Sequence, residues 1–175
     1  MIKRFVLIDR DGTLNVEKQY LADPDQLELI PGSGEALRRL QDAGFGICLV
    51  TNQSAISRGY FDVAQLDRLH QRLENMVARF GVRFDGIYYC PHAPADKCDC
   101  RKPLPGMIRR AMGEHRFDPE HAWVIGDKEV DIELGLAVGA RTVLVRTGYG
   151  KHYEAQTRAT DVADDLAAAV ELVLR

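Results

Sequence analysis

The amino-acid sequence predicts an α/β fold, a mainly parallel sheet flanked by helices, in one domain spanning residues 1–175. Three observations carry this. Apolar runs of strand length recur five times. Helix-period patterns fill most of the intervals between them. No repeat, low-complexity tract or linker divides the chain, whose 175 residues suffice for one substantial core. Strands that alternate with helices in this way are joined by right-handed crossovers.

The first run, Phe5–Ile8, is short and β-rich, and reads as a strand buried on both faces. A helix follows Pro31-Gly32, carries Leu37 and Leu40, and stops at Gly44. Ile47–Val50 is the second strand. Leu66, Leu69, Leu73, Met76, Val77 and Phe80 then recur at three and four, as one face of a helix does, with Asp62 suited to cap it and Gly81 to end it. Gly86–Tyr89 is the third strand, and Pro105 opens a helix in an acceptable first-turn position. Trp123–Ile125 is the fourth strand, followed by a helix from about Glu129 to Val138 that stops at Gly139. Thr142–Val145 is the fifth, and Asp164 to Leu174 forms a final amphipathic helix. The Leu and Met stripes are core packing.

Composition narrows the function classes. A 46% hydrophobic and 28% charged chain is that of a globular protein. The net charge of −3 lacks the basic footprint of nucleic-acid binding. No apolar run is long enough to cross a bilayer, so no membrane partner is expected. Met1-Ile-Lys-Arg-Phe has basic residues, but Asp9 interrupts its apolar run too early for a signal peptide, so a cytoplasmic location is expected.

Four groups of residues fall at predicted C-terminal strand ends, the edge where open α/β sheets bind ligands. Asp9 and Asp11 follow the first strand, with Gly12 freeing the backbone; strand alternation puts both carboxylates on one side, as a nucleophile paired with an acid/base near a cation. A calcium loop does not fit: with Gly12 sixth, Leu7 and Lys18 fall where carboxylates are required. Thr51-Asn52-Gln53-Ser54 offers hydroxyls, amides and backbone N–H groups to a phosphate, although the same string also suits a turn or helix cap. Arg101-Lys102, stiffened by Pro103 and Pro105, gives a directed pair of cations. Asp127 and Asp131 share one face of a helix start and can complete an oxygen cage for Mg²⁺, although Asp127 equally suits an N-cap. Together these groups supply what phosphoryl transfer needs.

Asp9-Arg-Asp11-Gly-Thr, Thr51-Asn, Lys102 and Gly126-Asp-Lys-Glu-Val-Asp131 resemble, in order and spacing, the four motifs of the haloacid-dehalogenase superfamily of phosphohydrolases. The resemblance covers nearly the whole chain and implies a Rossmann-like three-layer sandwich with Asp9 on the central strand. It also implies that Asp9 attacks phosphorus to form an aspartyl-phosphate. Asp11 would protonate the leaving oxygen and then deprotonate the hydrolytic water. Mg²⁺ would be held by Asp9, the backbone carbonyl of Asp11, and Asp127, with Asp131 orienting that shell. Thr51 and Lys102 would steady the transferring group.

Cys90-Pro-His92-Ala-Pro-Ala-Asp-Lys-Cys98-Asp-Cys100 is a second strong signal. Three thiols and an imidazole in eleven residues match a closed Cys₃His zinc site, which leaves no open position and is therefore structural. It leads directly into Arg101-Lys102. Cys48 reads as a small buried hydrophobe, and His70, His115, His121 and His152 as surface residues. Neither Leu14–Pro31 nor Ser54–Cys100 has room for a large cap domain, so the site is expected to be open.

Within the superfamily, Thr51-Asn-Gln-Ser-Ala-Ile-Ser-Arg-Gly59, Gly86-Ile-Tyr-Tyr-Cys-Pro-His92, Cys98-Asp-Cys-Arg-Lys-Pro-Leu-Pro-Gly-Met107 and Val143-Leu-Val-Arg-Thr-Gly148 resemble the D-glycero-D-manno-heptose-1,7-bisphosphate 7-phosphatase family. That likeness implies a small phosphorylated sugar as substrate and a product feeding nucleotide-activated heptose for lipopolysaccharide or a surface glycan; a monomer is expected, although the sequence does not reveal the oligomeric state. Glu17 and Tyr20 would contact substrate, Arg101 the sugar or its anomeric phosphate, and Lys128 would add a further contact. The short spacer between His92 and Cys98 also matches histidinol-phosphate phosphatase, whose cationic substrate would favour acidic company such as Glu17. A zinc-stapled binding module without catalysis is the alternative of another class.

Overall fold

The computed structural model describes residues 3–175. Six parallel strands form one sheet in the order β3-β2-β1-β4-β5-β6, with β1 Phe5–Ile8, β2 Gly46–Asn52, β3 Gly86–Cys90, β4 Ala122–Gly126, β5 Arg141–Val145 and β6 Asp161–Ala163. Between them run α1 Ser33–Asp42, α2 Val63–Ala78, α3 Gly106–His115, α4 Glu129–Ala137, the single-turn α5 Gly150–Tyr153, and the final α6 Leu166–Val173.

The central strand explains the layering. Its residues alternate between two cores, Val6 and Ile8 packing with Leu37, Leu40, Leu69, Leu73 and Leu166 on one side. Phe5 and Leu7 pack with Met107, Ile108, Ala111 and Leu134 on the other. Helices α1, α2 and α6 thus cover one face and α3 and α4 the second, giving the expected three-layer α/β sandwich. Asp62 caps α2 as predicted, its side chain accepting from the Gln65 N–H. Strand β6 and α5 escaped the sequence reading, being three and four residues long and without a readable period.

Register then fixes where the motifs meet. Ile8 lies opposite Leu49 of β2 and Ile125 of β4, so the residues just past each strand emerge side by side. Asn52 pairs with Cys90, bringing the start of the cysteine loop to the same edge. The strand order turns back on itself at β1 and β4, and such a reversal opens a crevice at the C-terminal edge.

Candidate active site

Asp9, Asp127 and Asp131 converge at that crevice, each offering a carboxylate oxygen within 4.8 Å of the others. All three are buried, Asp9 at 5% exposure and Asp127 at 0%. Lys102 joins them with its ammonium 2.6 Å from Asp9 Oδ1, 2.6 Å from Asp131 Oδ1 and 2.8 Å from the Val50 carbonyl. Burial would strip the proton from Lys102, but the adjoining charges of Asp131 and Asp9 keep it cationic.

Asp127 does not cap α4, contrary to one reading of the sequence. That helix begins with Lys128 as its N-cap residue, and the Lys128 N–H donates to Asp131 Oδ2 at 3.1 Å. Asp127 is thereby free to face the crevice. Its Oδ2 accepts the Tyr149 N–H at 2.8 Å, while Oδ1 is buried with no hydrogen-bond partner. Burial, and then the negative charge of Asp9, push the Asp127 carboxyl up to about 8. Burial also pushes Asp131 up to about 6, against the pull of Lys102. An unpartnered buried oxygen of Asp127, beside two carboxylates that share the Lys102 ammonium, is a donor set suited to a divalent cation.

Two glycines let the loops close on this group. Gly12 and Gly148 both have positive φ, +86° and +54°, and a Cβ on either would fall within 2.3 Å of Asp127 Oδ2.

Asp11 also lines the cavity but stands apart from the three clustered carboxylates. Strand β1 ends at Ile8, so strand alternation does not set its direction; a turn in which Asn15 N–H donates to the Arg10 carbonyl does. Arg10 grips Asp11 with Nη2 at 2.7 Å and Nε at 3.2 Å, and Asn15 and Gln53 each donate at 3.0 Å. Burial raises the Asp11 pKa, but the Arg10 charge and these donors together hold it below the usual carboxylate range.

The Thr51–Ser54 string divides its labour. Thr51 is buried and its hydroxyl accepts from Gln53 Nε2 at 2.8 Å, so Gln53 bridges Thr51 and Asp11. Ser54 lines the cavity. Asn52 lines the cavity too, and its side-chain amide binds the main chain of Lys102, accepting from N–H at 3.0 Å and donating to C=O at 3.2 Å.

The cavity above these groups encloses about 730 Å³ and is also lined by Glu17, Tyr20, Arg101, Lys128, Tyr149 and Tyr153. Glu17 accepts from Lys128 Nζ at 3.3 Å. Tyr20 is half exposed, with the Tyr60 ring edge-on at 4.8 Å. Arg101 donates to the His92 carbonyl at 3.1 Å, and its N–H donates to Cys98 Sγ at 3.3 Å.

Cys90, His92, Cys98 and Cys100 form a second cluster, with Sγ and Nδ1 atoms 3.1 to 3.6 Å apart in the bonded pairs. The edges of a tetrahedron of thiolates around zinc are about 3.8 Å, so these pairs need spread only slightly to admit the ion. Cys48 is buried as expected, and burial pushes its thiol up to about 12.

Two histidines depart from the surface assignment. His70 is only 7% exposed and touches the buried Arg10, Nη1 to Nε2 at 3.4 Å. His115 is half-buried against the ring of Phe5, while His121 and His152 are exposed. Arg10, Asn15 and Tyr149 were not singled out from the sequence. Arg10 lies inside the Asp-x-Asp string itself. Tyr149 follows β5 at the ligand-binding edge, where the rule that located the other groups applies equally.

A HAD-hydrolase-like family model matches residues 99–169, the stretch that carries Lys102, Asp127 and Asp131. A D-glycero-beta-D-manno-heptose-1,7-bisphosphate 7-phosphatase of Pseudomonas aeruginosa is 42% identical over 100% of both chains. Its counterpart in Pseudomonas putida is 41% identical, over 97% of this chain and 99% of that one. The crystal structure of the D,D-heptose 1,7-bisphosphate phosphatase from B. bronchiseptica, complexed with magnesium and phosphate, superposes with a TM-score of 0.92 at 37% identity over 98% of each chain. The chain belongs to this family of haloacid-dehalogenase-like phosphatases. Among the described residues, no helix is long and apolar enough to cross a membrane.

Proposed function

We propose that this protein is a magnesium-dependent phosphatase that removes the 7-phosphate of D-glycero-β-D-manno-heptose 1,7-bisphosphate. The observation that carries the chemistry is the buried group of Asp9, Asp127 and Asp131, with the Lys102 ammonium paired to Asp9 and Asp131. The substrate is taken from relatives about 40% identical over essentially the whole chain.

Asp9 and Asp127 would hold Mg²⁺ together with the Asp11 carbonyl, and Asp131 would orient them through Lys102 and the Lys128 N–H. Bound there, magnesium supplies positive charge that draws in the phosphoryl oxygens. An Asp9 oxygen attacks phosphorus, the P–O7 bond breaks, and Lys102 and Thr51 steady the phosphoryl group. Asp11 gives its proton to the departing sugar oxygen. A water then attacks the aspartyl-phosphate, giving up one of its own protons to Asp11, and frees inorganic phosphate and Asp9. Arg10, Asn15 and Gln53 favour the ionised form of Asp11, which suits the second half. The incoming phosphate dianion raises its proton affinity for the first.

Zn²⁺ held by Cys90, His92, Cys98 and Cys100 would be structural, all four positions being filled by protein. We propose a monomeric enzyme that works in the cytoplasm, where thiols stay reduced. The anomeric phosphate is retained, which suits later transfer to a nucleotide.

Histidinol phosphate is the second substrate considered, and the Glu17–Lys128 pair argues against it. The acid that would attract a cationic substrate is already paired, and Arg101 and Lys128 make the cavity wall attractive to a second anion. The test compares kcat/KM on the heptose bisphosphate and on histidinol phosphate, with ³¹P NMR to identify which phosphate leaves. Preference for histidinol phosphate, or release of the anomeric phosphate, would overturn the assignment.

A further inference from the structure

We propose that Tyr149 is a positioning residue for substrate selection, the face of its ring fixing the Lys128 ammonium at the cavity wall to meet the anionic group that is not cleaved. This rests on the reading that the substrate carries two phosphates. Lys128 has a fixed backbone, since it starts α4 and its N–H is bound by Asp131. Its four-carbon stem nonetheless lets the ammonium swing. Two contacts stop it. Nζ lies 3.3 Å from Glu17 Oε2 and 4.7 Å from the centre of the Tyr149 ring, and all three residues line the cavity.

The two contacts are not equivalent. Glu17 uses an N–H donor and brings a countercharge that weakens attraction for a second anion. The ring holds the cation through its quadrupole, using no donor and adding no net charge. Lys128 therefore keeps donors and positive charge to offer. The ring is aimed by the backbone, for the Tyr149 N–H donates to Asp127 Oδ2 at 2.8 Å. One residue thus ties the wall that selects substrate to a carboxylate at the reacting centre.

The experiment measures the selectivity ratio, kcat/KM on the heptose bisphosphate over kcat/KM on p-nitrophenyl phosphate, in the magnesium-loaded enzyme. Tyr149→Leu is expected to lower that ratio about fivefold, the loss carried by KM, which is the scale of one cation–π contact. Tyr149→Phe, which keeps the ring, is expected to stay within about twofold of the parent. In a Lys128→Met background, Tyr149→Leu should have no further effect on the ratio, because the group it positions is gone. Should Tyr149→Leu fail to fold, Tyr149→Met, flexible and without a ring face, carries the same expectation. A ratio unchanged by Leu or Met, or lowered equally by Phe, overturns the proposal, as does a full effect in the Lys128→Met background. A parent enzyme that does not prefer the heptose bisphosphate overturns the substrate reading and this inference with it, a result distinguishable from a parent preference that Tyr149→Leu leaves intact.

Discussion

Asn52 and Lys102, fifty residues apart in the chain, form a closed pair in which the side-chain amide of one mimics a strand partner for the other. The Asn52 Oδ1 takes the Lys102 N–H at 3.0 Å while its Nδ2 reaches the Lys102 carbonyl at 3.2 Å. This pairing anchors the backbone from which the Lys102 ammonium reaches Asp9 and Asp131. Asn52→Ala is expected to lower kcat about 10- to 100-fold through misplacement of that ammonium, with a stability loss of about 1–3 kcal/mol for the two abandoned backbone groups. Steady-state kinetics and denaturant unfolding measure both, and an unaltered kcat would remove Asn52 from the machinery.

Asp9→Asn removes the proposed nucleophile and also one of three crowded carboxylates. Turnover should fall by about 10⁴-fold or more. The metal-free protein should hold or gain thermal stability, because the negative charge that raises Asp127 is gone. Zinc content measured by elemental analysis should stay the same. Phosphatase activity surviving in this variant would refute covalent catalysis.

The metal-free protein should lose stability as pH rises. The folded state holds Asp127 up at about 8 and Asp131 at about 6, against an ordinary value of 3.8, so it binds more protons than the unfolded chain across that interval. Their contribution is greatest below about 4 and is lost on approaching 8. Magnesium should therefore raise Tm more at pH 8 than at pH 6, and Asp127→Asn should flatten the metal-free slope. Scanning calorimetry with and without Mg²⁺ decides it; equal shifts at both pH values would contradict the arrangement.

His70 gives the opposite sign. Burial, and then the Arg10 charge, push it down to about 4 from 6.5, so protonation favours the unfolded chain. Its contribution is complete above 6.5 and is lost as pH falls towards 4. His70→Gln, which keeps an acceptor for Arg10 without titrating, should reduce the acid sensitivity of Tm across that range.

Removing the zinc proposed for the cysteine cluster should loosen the segment that runs from Cys100 into Arg101 and Lys102. Treatment with a thiol-reactive reagent and a chelator is expected to lower both Tm and kcat, and restoring magnesium alone should not recover activity. Recovery with magnesium alone would make the cysteine cluster dispensable.

The parts legible in the sequence were those with a period or a strand end to mark them. Phe5–Ile8 and the other apolar runs announced their strands, and Asp9, Thr51 and Asp127 stood at or just past the end of one, while Arg101-Lys102 lay beyond the cysteine loop that follows β3. What stayed hidden depended on partners far away in the chain. Nothing local to Thr51-Asn52 says that the amide binds the main chain of Lys102. Nothing near Leu69-His70 announces a buried Arg10 sixty residues earlier. Asp127 could equally have been a cap until the helix was seen to begin at Lys128.

The order of strands carries a consequence for synthesis. Strand β1 ends up between β2 and β4, yet β4 begins only at Ala122. As the chain leaves the ribosome, the Phe5–Ile8 edge waits unpaired on that side while more than a hundred residues are added. An exposed apolar edge of this kind invites pairing with other nascent chains. Slow translation upstream of Trp123, or depletion of chaperones, should therefore lower the yield of folded protein well before any catalytic residue is altered.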